Sequence, residues 1–333
     1  MKSFIKQDQK RKRFYVLSPL LSNLFALSLG VWLCSPVATQ IVNSPNSQVL
    51  PQLARDVEES DTNSQVLSQL ARANVVYLGE THDSPEDHKI QLEIIQQLQQ
   101  RNPKIAIAME TFQRPYQSVL DSYVAGKLSE QELVEKTQYN QRWGFPWEYY
   151  APILRFAREK QLPVLALNTP TEVTRQVARG GLESLTSKQR KYIPPFSEIR
   201  TDNDEYRQMM LTFFQRHQNG NNGSSKNFER FFLAQVLWDE TMAEKIASFL
   251  QANPDYQVVV LAGQGHIVYG HGIPSRVARR MKDKNLVQRS VLLSPLENKA
   301  DTDKPIADFI WRSKANTEAK TQEKDRRKYP SSN

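Results

Sequence analysis

The chain predicts an α/β fold built on a mainly parallel β-sheet flanked by helices, with a helical insertion. Two observations carry that prediction. Short continuous apolar runs, Val75–Leu78, Lys104–Met109, Pro163–Leu167 and Gln257–Ala262, with a weaker fifth at Ser290–Leu293, are each separated by segments of helical pattern. Strands that are apolar on both sides rather than alternating belong in a parallel sheet covered on both faces. The second observation concerns the carboxyl ends of these runs: histidine, glutamate, asparagine and glycine stand there, at the edge where ligands bind in open α/β sheets.

Residues 1–38 open with the basic cluster Lys10-Arg11-Lys12-Arg13, which leads into the apolar stretch Leu20–Cys34 and the small residues "SPVA". This is the layout of a secretory signal peptide, and the stretch is shorter than the roughly 20 residues a membrane-spanning helix needs. The expected location is exported, in the periplasm or an equivalent extracytoplasmic compartment, with membrane association as the alternative. Leu33 before Cys34 fits a lipid-attachment site poorly, and Cys34 is the sole cysteine, so the mature chain has no disulfide, thiolate nucleophile or cysteine metal site. Residues 39–72 form a polar linker and first helix, containing the duplication "SQVLPQLAR" (47–55) and "SQVLSQLAR" (64–72); two copies make no solenoid.

The domain spans 73–311. Its first helix is signalled by Ser84 as N-cap, Pro85 at the first position and Asp87 three residues on, with Ile90, Ile94, Ile95 and Leu98 on one face. Region 171–255 interrupts the strand–helix rhythm with helices around 172–180, 203–218 and 228–251, a helical insertion placed to form a lid. Residues 312–333 read as a disordered basic tail. The formal net charge of +8 suggests nucleic acid, but residues 1–38 contribute +5 and residues 312–333 contribute +4. The span between them sums to about −1, so no basic surface remains to track phosphates and no nucleic-acid partner is expected.

Four strand ends deliver candidate site residues. Gly79, Glu80, Thr81 and His82 close the first run, Glu110 the second, Asn168 the third, and Gly263, Gln264, Gly265 and His266 the fourth. A single glutamate or histidine after a strand is ordinarily a cap or a surface residue. Two G-x-x-H units and two glutamates along one sheet edge predict that Glu80, His82, Glu110 and His266 share a cleft. His88 and His217 read as surface or capping residues, and His271 in "YGHG" is intermediate. The segment "NQRWGFPWEYY" (140–150) offers Trp143, Phe145, Trp147, Tyr149 and Tyr150, either as a packing cluster or as π surface for a flat ligand, with Arg142 placed to meet a ligand carboxylate.

The segments "YLGETHDSPEDHKIQLEII", "IAMETFQRPYQ", "WGFPWEYYAPILRFAREKQLPVLALN" and "AGQGHIVYGHGIPSRV" resemble, in order, the ChaN-type haem-binding uptake (cofacial haem-binding) family, within a superfamily shared with Tiki, TraB and erythromycin esterase proteins. The resemblance implies haem as the cofactor and a homodimer enclosing two haems face to face. A tyrosine of one subunit ligates iron, and a histidine of the other meets the propionates. Carried onto this chain, the iron ligand is Tyr269, with His266 or His271 as the polar neighbour. The cofactor-binding set is then Tyr269, His266, His271, His82, Glu80, Glu110 and Arg142. A phenolate is a hard donor suited to ferric iron, and an outer-membrane haem receptor is the further partner such a role implies. The competing reading is a metal-dependent hydrolase, a protease or esterase. In it Glu80, His82, Glu110 and His266 hold a divalent ion such as zinc or manganese, or act as acid and base without one. Neither a G-x-S-x-G elbow nor an H-E-x-x-H helix is present.

Overall fold

The computed structural model describes residues 62–217, 225–294 and 304–311; for residues 216, 217, 225 and 226 it describes the backbone alone. The expected signal peptide, most of the linker, the basic tail and the His217 side chain lie outside the described residues.

After helix α1 (62–70) comes strand β1 (Val75–Glu80), then α2 (Pro85–Arg101). Helix α2 starts as the sequence predicts, since the Ser84 hydroxyl accepts from the Asp87 amide and Pro85 occupies the first turn. Strand β2 (Ile105–Gln113) leads into α3 (Gln117–Val124), α4 (Glu130–Lys136), the single turn α5 (Tyr139–Arg142) and α6 (Trp147–Glu159). Strand β3 (Val164–Asn168) is succeeded by α7 (Thr171–Gly180), the short α8 (Ser187–Arg190), α9 (Asp204–His217) and the long α10 (Ser225–Ala252). Strand β4 (Gln257–Gly263), α11 (Ile273–Met281), β5 (Gln288–Leu292) and the two-residue β6 (Phe309–Ile310) complete the described chain.

The six strands form one sheet in the order β3-β2-β4-β1-β5-β6, and every pairing is parallel. Successive strand side chains face opposite sides, and the core divides accordingly. Val76, Leu78, Ile107 and Val259 belong to one cluster with residues of α2, α3 and α6, whereas Val75, Tyr77, Val258 and Val260 pack with α10 and α11. A third cluster, including Val177, Tyr206, Phe214 and Phe232, gives the insertion its own core. Strand β6 carries too few residues to show a pattern and was not anticipated.

Two features of this topology build the site. Although β4 is fourth in the chain, it lies between β2 and β1, so the carboxyl ends of β2, β4 and β1 are direct neighbours. Strand β2 also runs to Gln113, beyond the expected end at Met109, and its register against β3 shifts between Met109 and Gln113. Glu110 therefore sits at the irregularity, where the ladder is broken and a side chain is re-aimed.

Candidate functional site

Glu110 is the centre of the arrangement. Its Oε2 accepts from the Gly263 amide at 2.8 Å and lies 3.9 Å from His82 Nε2, and its Oε1 lies 3.5 Å from His266 Nε2. The Asn168 side-chain amide donates to the Glu110 carbonyl at 3.0 Å. His82 and His266 thus approach one carboxylate from two strands, and the expected convergence of Glu80, His82, Glu110 and His266 is realised. Glu80 stands behind His82 instead of facing the opening, because its side chain is 2 % exposed and wholly engaged.

Each histidine is backed by a second carboxylate and a tyrosine. His82 Nδ1 meets Glu80 Oε1 at 2.7 Å, Tyr150 donates to the same oxygen at 2.8 Å, and Gln91 donates to Glu80 Oε2 at 2.5 Å. His266 Nδ1 meets Asp239 Oδ1 at 2.6 Å, and Tyr206 donates to Asp239 Oδ2 at 2.5 Å. Two tyrosine–carboxylate–histidine chains therefore converge on Glu110. A carboxylate on Nδ1 fixes the ring orientation and directs Nε2 outward. Asp239 and Tyr206 were not anticipated. Both come from the insertion, and Asp239 sits mid-helix in α10, far from any strand end.

The charges follow from the geometry. Burial alone would raise the Glu110 carboxyl, but the His266 and His82 imidazoles outweigh it and hold the group down to about 2. Burial would lower His266, yet Glu110 and Asp239 together push it up to about 10. The same contest raises His82, through the Glu80 hydrogen bond and the Glu110 charge, and lowers Glu80. At neutral pH an ionised Glu110 thus faces a cationic His266.

His88, expected on the surface, is buried. It lies 3.0 Å from the His82 carbonyl and 3.2 Å from Gln91 Oε1, and it stacks on Tyr149 with ring centroids 5.2 Å apart. It sits one helical turn into α2 on the face turned toward Glu80, a position a cap never takes. The aromatic segment encloses these histidines: Trp143 and Phe145 each pack 5.0 Å from the His82 ring. Arg142 reaches the cavity but is paired, with Gln113 at 2.9 Å and Glu172 at 3.0 Å.

Glu110, His82 and His266 line a cavity of about 110 Å³ whose walls include Trp143 and Trp238. Tyr269 is not among its lining residues. It borders a separate concavity of about 220 Å³ with Arg289, Ile306 and Asp308. His271 lies 3.7 Å from Glu205, its ring 5.9 Å from that of Tyr269. The structure therefore splits the predicted set between two places. Among the described residues no group of three or more His, Cys, Asp or Glu side chains is arranged to hold a metal ion. The zinc or manganese alternative is thus without support among the described residues.

Residues 66–277 match the family model described as haem-binding uptake, Tiki superfamily, ChaN. Among solved structures, cofacial haem-bound ChaN of Campylobacter jejuni superposes with a TM-score of 0.59 at 18 % identity, over 75 % of this chain and 92 % of that one. An erythromycin esterase variant in its open conformation superposes with a TM-score of 0.43 at 17 % identity, over 70 % of this chain and 73 % of the other. The Arabidopsis thaliana protein RETICULATA-RELATED 5, chloroplastic, is 28 % identical over 264 residues, 73 % of this chain. This chain spans about a third (34 %) of that protein's length.

Proposed function

Because the chain belongs to the haem-binding uptake (ChaN) family of the Tiki superfamily, we propose that it binds haem through Tyr269. Two copies enclose the cofactor after export, in the service of haem or iron uptake, with an outer-membrane haem receptor as the partner that role calls for. The observation that carries the Tyr269 assignment is its backbone: φ is +56° and ψ is 7°, a left-handed conformation in a bulky non-glycine residue. That conformation costs on the order of 1–3 kcal/mol and persists where the surroundings impose it, commonly at ligand sites. The Tyr269 amide donates to the Ile306 carbonyl at 2.8 Å, which pins the residue at the mouth of the open concavity.

The donor set suits the cofactor. A phenol oxygen is a hard ligand for ferric iron, and Arg289, which lies 3.8 Å from Asp308 in the same concavity, offers positive charge to a propionate. Bound there, haem would supply the iron chemistry, while this chain contributes the phenol, the cation and an apolar border at Ile306. The cavity at Glu110 has about half the volume of the Tyr269 concavity, about 110 Å³ against about 220 Å³.

Hemin titration of the parent and of Tyr269→Phe tests the assignment, with absorption spectra and solution mass recorded before and after. The parent should show a shifted Soret band, a phenolate-to-iron absorption and a doubling of mass. Tyr269→Phe should lose the phenolate band and bind hemin at least tenfold more weakly. A variant that binds with the same spectrum and the same ligand-dependent mass refutes the assignment.

A further inference from the structure

We propose that the cavity beside Glu110 is a second ligand site, separate from Tyr269, which takes a compact organic carboxylate with an apolar body. The anion would sit at the start of α7. That helix begins at Thr171 after Pro170, no side chain caps it, and its first two amides have no intrahelical partner. Thr171, Thr174 and Arg175 all line the cavity, so this positive end of the helix faces it.

The independent observation is a set of buried polar atoms around the same opening. Thr169 and Thr174 are 1 % and 2 % exposed and Asn168 is 8 % exposed; each lines the cavity, and each leaves a side-chain oxygen with no hydrogen-bond partner. Buried polar atoms are normally satisfied, and leaving one unmet costs energy. Two hydroxyls can donate to an anion, and Arg175 adds charge: among the described residues it forms no ion pair or hydrogen bond, in contrast to its neighbour Arg142. The remaining wall is apolar, with Trp143, Phe231 and Trp238 among its residues.

Size and charge narrow the ligand further. A water molecule needs about 10–15 Å³ of such volume, so about 110 Å³ accommodates roughly seven to eleven water-sized units, the scale of a short fatty acid or an arylacetic acid. A single negative charge fits better than a phosphate dianion, because the ionised Glu110 shares the cavity and Glu172 lies on the first turn of α7.

The test uses phenylacetate as the probe and 2-phenylethanol as its neutral analogue. Binding to the haem-free full chain is measured by calorimetry and by ligand-observed NMR. Phenylacetate should bind, the alcohol at least tenfold more weakly. Arg175→Gln should weaken phenylacetate at least tenfold without affecting the alcohol, with an unchanged melting temperature showing that the fold is intact. Tyr269→Phe should bind phenylacetate like the parent, and hemin should not displace it. Absence of phenylacetate binding, equal binding by Arg175→Gln, or displacement by hemin would each overturn the proposal.

Discussion

Replacing Asp239 by asparagine keeps the shape of the side chain and removes one of the two charges, beside Glu110, that hold His266 as a cation. Asp239 is fully buried and accepts from two donors, the Tyr206 hydroxyl and His266 Nδ1. An amide offers one oxygen and one NH2, so one of those donors meets another donor unless His266 gives up its Nδ1 proton. The rise of His266 from 6.5 to about 10, at about 1.4 kcal/mol per pH unit, corresponds to about 5 kcal/mol left in favour of the cation after burial has opposed it. Losing the charge on one partner of such a buried hydrogen bond costs about 1.5–3 kcal/mol. Adding a strained or lost buried hydrogen bond of about 1 kcal/mol gives an expected destabilisation of about 3 kcal/mol, or a fall in Tm of about 6–12 °C for a domain of this size.

The pH dependence separates this cause from a generic packing defect. His266 has a raised folded-state pKa, so its contribution is fully present below about 6.5 and is lost as pH rises through about 10. Glu110 behaves in the opposite sense: its contribution is present above about 4.5 and is lost as pH falls toward 2. The parent should therefore be most stable near pH 4.5–6.5 with respect to this cluster and weaken steadily on the alkaline side. In Asp239→Asn that alkaline slope should flatten and move to lower pH, since His266 then keeps only the Glu110 carboxylate to hold its charge. Denaturant unfolding at pH 6, 8 and 9.5, with the imidazole followed by NMR, measures both effects. A variant within about 1 kcal/mol of the parent, or one whose His266 titrates like the parent's, refutes the assignment of charge.

Gly263→Ala places a methyl group 2.8 Å from His82 Nε2 and 3.7 Å from Glu110 Oε2; the expected cost is about 1–3 kcal/mol of overpacking, with a displaced His82 resonance as the local sign. Tyr150→Phe removes one of the donors to Glu80 and leaves the ring, so denaturant unfolding should show a loss of about 1–2 kcal/mol, together with a smaller depression of the Glu80 carboxyl. Export predicts that mass spectrometry of the mature chain finds a start near Thr39 or Gln40; an intact Met1 or a diacylated Cys34 contradicts it.

The sheet was legible because its strands are buried on both faces and so appear as unbroken apolar runs. The start of α2 was legible because Ser84, Pro85 and Asp87 do local work that depends on no distant residue. Glu80, His82, Glu110 and His266 were legible for a topological reason: the ends of parallel strands are the one place where sequence position translates directly into spatial convergence. His88 was misjudged because its burial depends on Tyr149 and Tyr150, which arrive from α6 more than 60 residues away. The extension of β2 to Gln113 was likewise invisible, since it rests on a register shift against β3.

Asp239 marks the limit of such legibility. An aspartate in "LWDETM" has the pattern of a solvated helix face, and nothing within ten residues distinguishes it. Its distinction is that α10 crosses the sheet and buries Asp239 against a histidine from the β4 end. An unpaired carboxylate in that position would cost several kcal/mol, so Asp239 is tolerated only as half of an ion pair. The same constraint makes the insertion part of the site. Tyr206 from α9 completes the Asp239 chain, and Phe231, Gln235 and Trp238 from α10 wall the cavity on the side opposite Trp143 and Phe145. A perturbation that loosens α9 from α10 should therefore reach His266 and the cavity before it reaches the sheet, and through Met209 and Glu205, which α9 sets against Tyr269 and His271, it should reach the second concavity as well.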